Sequence, residues 1–254
     1  MNSTSRTALL ACAVASAAFL AGCGGDDATD ALNVASPQAR LVNAIPGSGA
    51  LQFYRNADLQ SDAGALPFET SSKYFDTVAT TSTWSVRVAD TGTEAGSTSL
   101  MVSGSTRYTF IAFPGVGTQA DLVTFSDPYD VSLNDTNARL RVVNAATNDG
   151  SFDVYITAPG ASIASATPQM TGVAYKAVAP VSGENSYSFA HGTYEIRLTL
   201  TGTKLPFFDA QFVAGDNDDL LMMTVANSAV AGDVKIYKMP SDNDVPNSEI
   251  ANTL

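Results

Sequence analysis

Hydrophobic and polar residues alternate along several short stretches of the chain. In residues 84–88 (WSVRV) every second residue is apolar, and residues 194–200 (YEIRLTL) show the same period. A period of two predicts β-strands with one buried face and one solvated face. Further apolar or aromatic runs, bounded by Gly, Pro, Asn and Ser, lie at residues 51–55, 108–113, 122–125, 219–226 and 234–237. Beyond the N-terminal apolar run no segment has a convincing helical period, so the sequence predicts an all-β protein.

The strand pattern occurs twice. RLVNAIPGSGALQFY at residues 40–54 aligns without a gap on RVVNAATNDGSFDVY at residues 141–155, and later blocks align with small shifts that loop insertions explain. The duplication predicts two domains, residues 39–130 and 138–240, joined by a polar linker at residues 131–137. About seven short strands per 100 residues is typical of an antiparallel β-sandwich of immunoglobulin-like size, and a barrel is the alternative.

The first 22 residues have the features of an export signal. Arg6 supplies a positive charge, and residues 8–20 form an apolar segment too short to span a bilayer. The sequence LAGC that ends at Cys23 resembles the lipobox of bacterial lipoproteins. That resemblance implies a lipoprotein signal peptide over residues 1–22, lipidation of the Cys23 thiol, and a membrane anchor of two or three acyl chains.

The sequence next to Cys23 also bears on location. Residues 23–38 are small and acidic, which predicts a flexible tether between the lipid and the first domain. Gly24 stands where an Asp commonly retains lipoproteins in the inner membrane, so the outer membrane is expected if the source is Gram-negative. At the other end, residues 241–254 are predicted to form a loose C-terminal tail.

Charge and cysteine content exclude several classes of function. The chain has 25 acidic and 13 basic residues, and a formal net charge of −12 argues against binding nucleic acid or anionic headgroups by charge. Of its two cysteines, Cys12 lies in the cleaved segment and Cys23 would be lipidated. A disulfide is therefore not expected, and the core must stabilise the fold alone.

Three repeated blocks, RLVNA with a following Tyr, WSVRV and GSTRYTF, together resemble the bacterial family called domain of unknown function 4397. The resemblance covers most of residues 39–240 and implies an exported, often lipidated, β-rich protein with tandem copies. It implies no activity. The second copy departs from the pattern at residues 216–219, where GDNDDLL replaces GSTRYTF, so a role of Arg107 or Tyr108 would not carry over.

The sequence predicts that the protein is not an enzyme and has no cofactor. Its one histidine, His191, precedes a predicted strand and reads as a turn residue; its alternative role is a base for a serine nucleophile, but no GxSxG motif accompanies it. A zinc site of His and Cys is excluded by the same residue counts. Carboxylate pairs for glycoside chemistry stay open, because any two of the acidic residues could meet in the fold.

Two acidic clusters are weak candidates for calcium. Asp216, Asp218 and Asp219 belong to one cluster, and residues 242–244 (DND) form the other. Calcium prefers clustered oxygen ligands, but Asp and Asn also dominate ordinary turns. Neither cluster has the glycine or distal glutamate of an EF-hand loop. The sequence therefore predicts solvated turns and no metal.

Aromatic residues are the other candidates for contact with a ligand or partner. Tyr54 and Tyr155 occupy corresponding places in the two copies and are out of phase with their apolar neighbours, so both are expected to face outward. Trp84 is expected in the core. Arg87 and Arg197 lie opposite the buried face and are expected to pair with acidic residues on neighbouring strands.

These observations together predict a lipid-anchored envelope protein that acts as a noncatalytic interaction or scaffold module, with an envelope protein or glycan as its partner. The alternative is a periplasmic or cell-surface binder of a small ligand or glycan, with or without calcium. A pocket lined by exposed aromatic residues would favour the binder. A flat apolar patch or an exposed edge strand would favour the protein-interaction module.

Overall fold

The computed structural model describes residues 35–129, 135–147, 150–227, 233–241 and 245–254, and strands are the main regular structure in them. The part before the linker contains β1 (Gln38–Asn43), β2 (Leu51–Arg55), β3 (Asp58–Leu59), β4 (Ala65–Leu66), β5 (Thr70–Ser71), β6 (Phe75–Asp76), β7 (Thr81–Val88), β8 (Glu94–Met101), β9 (Arg107–Pro114) and β10 (Ala120–Asp127). The part after it contains β11 (Ala138–Asn144), β12 (Phe152–Thr157), β13 (Met170–Val173), β14 (Val178–Ala179), β15 (Tyr187–Phe189), β16 (Gly192–Leu200), β17 (Pro206–Ala214), β18 (Asp219–Ala226), β19 (Val234–Pro240) and β20 (Ser248–Ile250). The one helical turn in the described ranges is a 3-10 helix, Ser61–Ala63.

The prediction of an all-β, sandwich-type fold is confirmed. Strands β1 to β10, here called unit 1, form sheet A in the order β10-β9-β1-β5, with β6 also paired to β1. The same unit forms sheet B in the order β3-β2-β7-β8, with β4 paired to β2. The sequence did not predict that β1 and β9 run parallel, which makes sheet A mixed.

Unit 2, made of β11 to β20, repeats this strand order. Sheet C has the order β14-β11-β18-β19-β20 with β15 also paired to β11, and sheet D has the order β13-β12-β16-β17. Here too the first strand is parallel to a late one, because β11 pairs with β18. Among the described residues, no helix is long and apolar enough to cross a membrane.

Each unit has its own hydrophobic core. In unit 1 the predicted core residue Trp84 is fully buried and packs against Phe53 and Phe110, with ring centroids 5.1 and 4.8 Å away. In unit 2 the corresponding space is filled largely by aliphatic side chains around Phe152 and Phe208. The two sandwiches therefore share a framework but not the packing of their interiors.

A third cluster joins the two units. The faces of sheets A and C that point away from their own cores pack against each other, and we call this contact the inter-unit interface. Its buried apolar residues are Val42, Ala44, Ile111, Phe113 and Phe125 of unit 1 and Val143, Ala145, Leu221, Met223, Val225 and Met239 of unit 2. The strands of sheets A and C at this interface therefore lack the solvent-exposed face that the sequence predicted, and β11 is buried at every position. Burial on both faces explains why β9 and β18 have near-continuous apolar runs.

The predicted loose tail is wrong for the residues of segment 241–254 that the structure describes. Strand β20 pairs with β19 of sheet C, and the Asn252 side chain accepts a hydrogen bond from the Asp209 N–H of sheet D at 3.1 Å. The Asn252 amide also donates to the Phe207 carbonyl and to Asp233. The C-terminal segment thus connects the edges of both sheets of unit 2, because strand pairing satisfies backbone groups that an open edge would expose.

Candidate functional site

The outer face of sheet B is the candidate binding surface. We define it by the side chains of β2, β7 and β8 that point away from the unit 1 core, which are Gln52, Tyr54, Thr81, Thr83, Ser85, Arg87, Ser97, Ser99 and Met101. Small hydroxyl side chains face each other across the strands, as in the pairs Thr83–Ser99 and Ser85–Ser97. The surface that results is flat, polar and exposed over most of its positions.

Tyr54 is the aromatic residue of this face. The Arg87 guanidinium lies 4.2 Å from the centroid of its ring, and the Tyr54 hydroxyl donates to Gln52 at 3.3 Å. As the sequence predicted, Arg87 pairs with an acidic residue on the neighbouring strand, Glu94, at 4.0 Å. The cation and the ring hold each other in place, while both side chains remain partly accessible.

Tyr155 lies on the outer face of sheet D, but it is not available for contact. It points away from the unit 2 core as expected, yet only 1% of it is exposed. The loop of residues 158–169 covers it, and Lys204 fixes the arrangement by donating to the Tyr155 hydroxyl at 3.0 Å and to the Ala166 carbonyl. The predicted contact role therefore fails for Tyr155, because a loop that the strand pattern does not reveal lies over it.

Beneath the same loop, Arg197 binds two carboxyl groups. It lies 2.8 Å from Asp209 on the neighbouring strand, as predicted, and 2.5 Å from Glu195. Glu195 also accepts the Gly160 N–H, which anchors the loop to the sheet. All three side chains of this acid–arginine cluster are at least four-fifths buried.

The two carboxyl groups of the cluster differ in acidity. Burial raises the pKa of Asp209 above its usual range, and the hydrogen bond and negative charge of Glu195 add to this despite Arg197. Burial also opposes ionisation of Glu195, but the Gly160 N–H, the hydrogen bond with Asp209 and the Arg197 charge outweigh it and lower the pKa of Glu195. Of the two, Asp209 is therefore the weaker acid.

This contact bears on the carboxylate pairs that the sequence left open. Glycosidases need their two carboxyl groups at least about 5 Å apart, with the substrate or a water molecule between them. Glu195 and Asp209 are instead bridged by the Arg197 guanidinium. A cavity of about 460 Å³ opens beside them, lined in part by Gln211, Glu249 and Thr253. The cluster is arranged to hold the loop and sheet D together.

A turn at Asp216 and Asn217 joins β17 to β18. The predicted solvated turn is present only in part, because Asp219 is the first residue of β18. Asp218 accepts a hydrogen bond from the Gly215 N–H at 2.7 Å, while Asp216 is exposed. Asp219 forms an ion pair with Arg107 of unit 1 at 3.1 Å. Within the described ranges, no three His, Cys, Asp or Glu side chains gather in a group that could hold a metal ion.

The remaining sequence candidates have simple placements. His191 is exposed at the bend before β16, where the sequence placed a turn. Cys23, with the signal peptide and most of the tether, lies outside the described residues. The second acidic cluster, residues 242–244, also lies outside them.

The repeated asparagine of RLVNA and RVVNA has a role that the sequence interpretation missed. Asn43 is fully buried, donates to the Leu66 carbonyl at 3.0 Å and accepts the Ile45 N–H at 3.1 Å. Asn144 makes the corresponding bonds to the Val173 carbonyl and the Ala146 N–H. The identical Asn in both copies was the available signal, since one amide satisfies backbone groups of both sheets.

A family model confirms the resemblance stated above. The model described as domain of unknown function (DUF4397) matches residues 37–155. The match runs through unit 1 and continues into β11 and β12 of unit 2. No curated protein is detectably similar to the chain.

Several solved structures are distantly similar. One is described as alpha-glucan binding by a streptococcal virulence factor, with 11% identity, a TM-score of 0.23, and coverage of 74% of this chain and 93% of that chain. A second concerns alpha-glucan recognition by family 41 carbohydrate-binding modules from streptococcal virulence factors, with 11% identity, a TM-score of 0.23, and coverage of 74% and 94%. A third is the multi-modular glycogen-degrading pneumococcal virulence factor SpuA, with 10% identity, a TM-score of 0.22, and coverage of 85% and 27%. TM-scores this low imply nothing about a ligand of this chain.

Proposed function

We propose that this protein, in which residues 37–155 match the DUF4397 family, is a noncatalytic binding module of the bacterial envelope that contacts its partner through the outer face of sheet B. One observation carries the proposal. Sheets A and C bury their outward faces against each other, and a loop covers the part of the outer face of sheet D around Tyr155. Sheet B therefore offers the broad sheet surface that stays accessible.

The chemistry of this surface favours a glycan as the ligand. Sugar hydroxyl groups need hydrogen-bond donors and acceptors, which the Thr83 and Ser99 hydroxyls and the Arg87 guanidinium supply. The C–H faces of a sugar pack well on an aromatic ring, which Tyr54 supplies. A face of this polarity is a poor match for an apolar protein segment, because such a segment would leave the hydroxyls desolvated and unpaired.

The envelope location is part of the proposal and rests on the sequence. LAGC at residues 20–23 follows an apolar segment of signal-peptide length, so Cys23 would carry the lipid and residues 23–38 would link it to unit 1. We expect Cys23→Ser to move the protein from the membrane fraction to the soluble fraction or to leave it unprocessed. A wild-type protein found wholly soluble with an unmodified N-terminus would contradict the anchor.

The binding proposal can be tested with purified envelope glycans immobilised on a sensor surface. Tyr54→Ala removes the ring, and Ser99→Arg places a bulky side chain on the flat face. Each should weaken binding by about tenfold or more if this face is the centre of the contact. Gln211→Arg is the matched control, because Gln211 is likewise exposed on the outer face of an edge strand, in sheet D.

The outcomes distinguish the assignment of the contact surface to sheet B from the assignment of a glycan as its ligand. Binding that is lost in both sheet B variants and kept in Gln211→Arg supports a glycan site on this face. If no envelope glycan binds, but an envelope protein binds and is lost with the same variants, the interaction module stands and the glycan does not. Equal binding by wild type and both sheet B variants would contradict the assignment of the surface.

A further inference from the structure

The inter-unit interface is built from corresponding positions of the two units. Strands β1 and β11 carry RLVNA and RVVNA, so Val42 corresponds to Val143, and Ala44 corresponds to Ala145. All four side chains are buried in the same apolar cluster between sheets A and C. The two units therefore face each other with equivalent surfaces, as the subunits of an isologous dimer do.

Four ion pairs join the two units: the most buried is Asp127–Arg141 at 3.2 Å, and three others have charged residues at the equivalent positions of both units. These three are Arg107–Asp219 at 3.1 Å, Asp121–Lys176 at 2.8 Å and Glu69–Lys235 at 3.3 Å. The side chains of the first and third of these are 11 to 15% exposed. In each pair the first residue belongs to unit 1 and the second to unit 2.

Glu69 and Lys176 occupy equivalent positions. The Glu69 N–H donates to the Asn43 carbonyl at 2.9 Å, and the Lys176 N–H donates to the Asn144 carbonyl at 2.8 Å. Both residues adopt a left-handed backbone conformation, with φ of 67° and 65°. Since Asn43 and Asn144 are the same residue of the repeat, this position holds an acid in unit 1 and a base in unit 2.

Asp121 and Lys235 are equivalent by strand register. Asp121 lies opposite Phe113 in the pair β9–β10, and Lys235 lies opposite Val225 in the pair β18–β19. In the parallel strand pairs, Ala112 lies beside Asn43 and Thr224 lies beside Asn144. Phe113 and Val225 are the residues that come next in each strand. This position therefore also holds an acid in unit 1 and a base in unit 2.

Arg107 and Asp219 are equivalent to each other. Arg107 lies beside Gln38, and Asp219 lies beside Arg139, in the parallel pairs of sheets A and C. Gln38 and Arg139 both stand two residues before the arginine of the repeated RLVNA or RVVNA motif. The equivalent residues contact each other directly, which places them near the pseudo-twofold axis that relates the units.

We infer that the inter-unit interface is a charge-coded pairing surface: each unit accepts a partner of the other kind and rejects a copy of itself. At these three positions the charge is inverted between the units, whereas the motif arginines Arg40 and Arg141 carry the same charge in both. A pair of two unit 1 faces would bring Arg107 against Arg107 and Glu69 against Asp121, which are like charges. A pair of two unit 2 faces would bring Lys176 against Lys235. Like charges across an interface suppress wrong partners.

The partner that the surface fits is thus the complementary face of this same protein, from its own chain or from a second copy. The apolar residues of both faces are alike, so they would also permit pairing of like units. The ion pairs supply the discrimination that the apolar cluster lacks. This inference does not depend on the proposed binding function of sheet B.

The test uses two full-length variants with matched design. In one, the unit 1 charges are inverted by Glu69→Lys, Arg107→Asp and Asp121→Lys. In the other, the unit 2 charges are inverted by Lys176→Asp, Asp219→Arg and Lys235→Glu. In each variant the two units then face each other with like charges, so the melting temperature should fall by about 5–10 °C. The chain with all six changes should recover most of that loss, because every pair is complementary again.

Mixing the two single-unit variants tests pairing between copies. Each variant has two faces of one charge pattern, and the patterns of the two variants are complementary. Refolded together at equimolar ratio, they should form a 1:1 assembly by size-exclusion chromatography and native mass spectrometry, and each alone should not. If the mixture stays two separate species at tens of micromolar, recruitment of a second copy is overturned.

A second set of variants leaves the central pair, Arg107–Asp219, unchanged, so that a folding defect caused by that pair cannot affect the result. It inverts only the peripheral pairs, with Glu69→Lys and Asp121→Lys in one chain and Lys176→Asp and Lys235→Glu in the other. Melting temperatures of these variants within about 2 °C of wild type would overturn the inference. So would a fully inverted chain that is no more stable than the half-inverted chains.

Discussion

The outer faces of sheets B and D are built on corresponding strands, yet one is open and the other is sealed. Tyr54 lies half-exposed on sheet B beside Arg87, whereas Tyr155 on sheet D is 1% exposed beneath the loop of residues 158–169. The strands alone place both rings outward. The difference shows that the connection after the second strand of each unit helps to decide whether a face can bind.

Strand register contributes to the same difference. Tyr54 lies opposite Ser85 on the neighbouring strand, but Tyr155 lies opposite Arg197. A small hydroxyl leaves sheet B flat. A guanidinium beside Tyr155 gives the loop a partner, because Arg197 donates to the Ala161 carbonyl at 2.7 Å. The sealed face is therefore held by a buried charge network that the open face lacks.

Replacing the two arginines should give the largest contrast between the faces. Arg197→Met leaves the largely buried carboxyls of Glu195 and Asp209 without their counter-charge and should destabilise the protein by about 3–5 kcal/mol. Arg87→Met removes a partly exposed pair with Glu94 and should cost less than about 1 kcal/mol. Urea unfolding of the two variants measures the difference. Equal losses would show that the network under the loop is not the stabilising feature of sheet D.

Truncating the two tyrosines should give the next largest contrast. Tyr155→Ala leaves a cavity beneath the loop and should cost about 3 kcal/mol, as for other buried aromatic residues. Tyr54→Ala removes a half-exposed ring and should cost about 1 kcal/mol. Thermal unfolding monitored by circular dichroism compares them. A larger loss for Tyr54→Ala than for Tyr155→Ala would contradict the description of the two faces.

The carboxyl pair under the loop predicts a pH dependence. Because the folded-state pKa of Asp209 is raised, its ionisation weakens the folded state as pH rises through that pKa. Asp209→Asn mimics the neutral form, so its stability relative to wild type should improve as pH rises above the ordinary pKa of 3.8. The pKa of Glu195 is lowered in the folded state, so its ionised form stabilises the fold at pH values above the pKa that it has in the unfolded chain. Glu195→Gln should therefore show the opposite trend, with stability relative to wild type falling as pH rises, and matching trends in the two variants would contradict the opposite pKa shifts.

The smallest expected effect concerns Lys204, which ties the loop over Tyr155. Lys204→Ala removes hydrogen bonds to the Tyr155 hydroxyl and the Ala166 carbonyl, and should cost about 0.5–1.5 kcal/mol. It should also let the tyrosine react faster with a water-soluble nitrating reagent, measured by peptide mass spectrometry. Unchanged reactivity of Tyr155 would mean that the loop closes the face without this lysine.

The sequence predicted features that depend on local pattern and missed those that depend on long-range packing. Period two placed Trp84 in the core and turned Arg87 and Arg197 toward acidic residues on neighbouring strands. The burial of Tyr155 could not be predicted, because its cover is a loop whose path no residue pattern encodes. Burial of sheets A and C on both faces did leave a signal, since residues 220–225 (LLMMTV) do not alternate.

The parallel pairing of the first strand in each unit bears on the order in which the chain can fold. Arg40 of β1 hydrogen-bonds Thr109 of β9, 69 residues later, and Thr224 of β18 donates to Val143 of β11, 81 residues earlier. In a chain that leaves the cell interior N-terminus first, as we propose, β1 would emerge long before its neighbour exists. The hairpins β7–β8 and β9–β10 can form locally, but the sheet closes only when β1 inserts beside β9. Each unit would therefore complete its core late and slowly, with the apolar residues of its first strand exposed in the meantime.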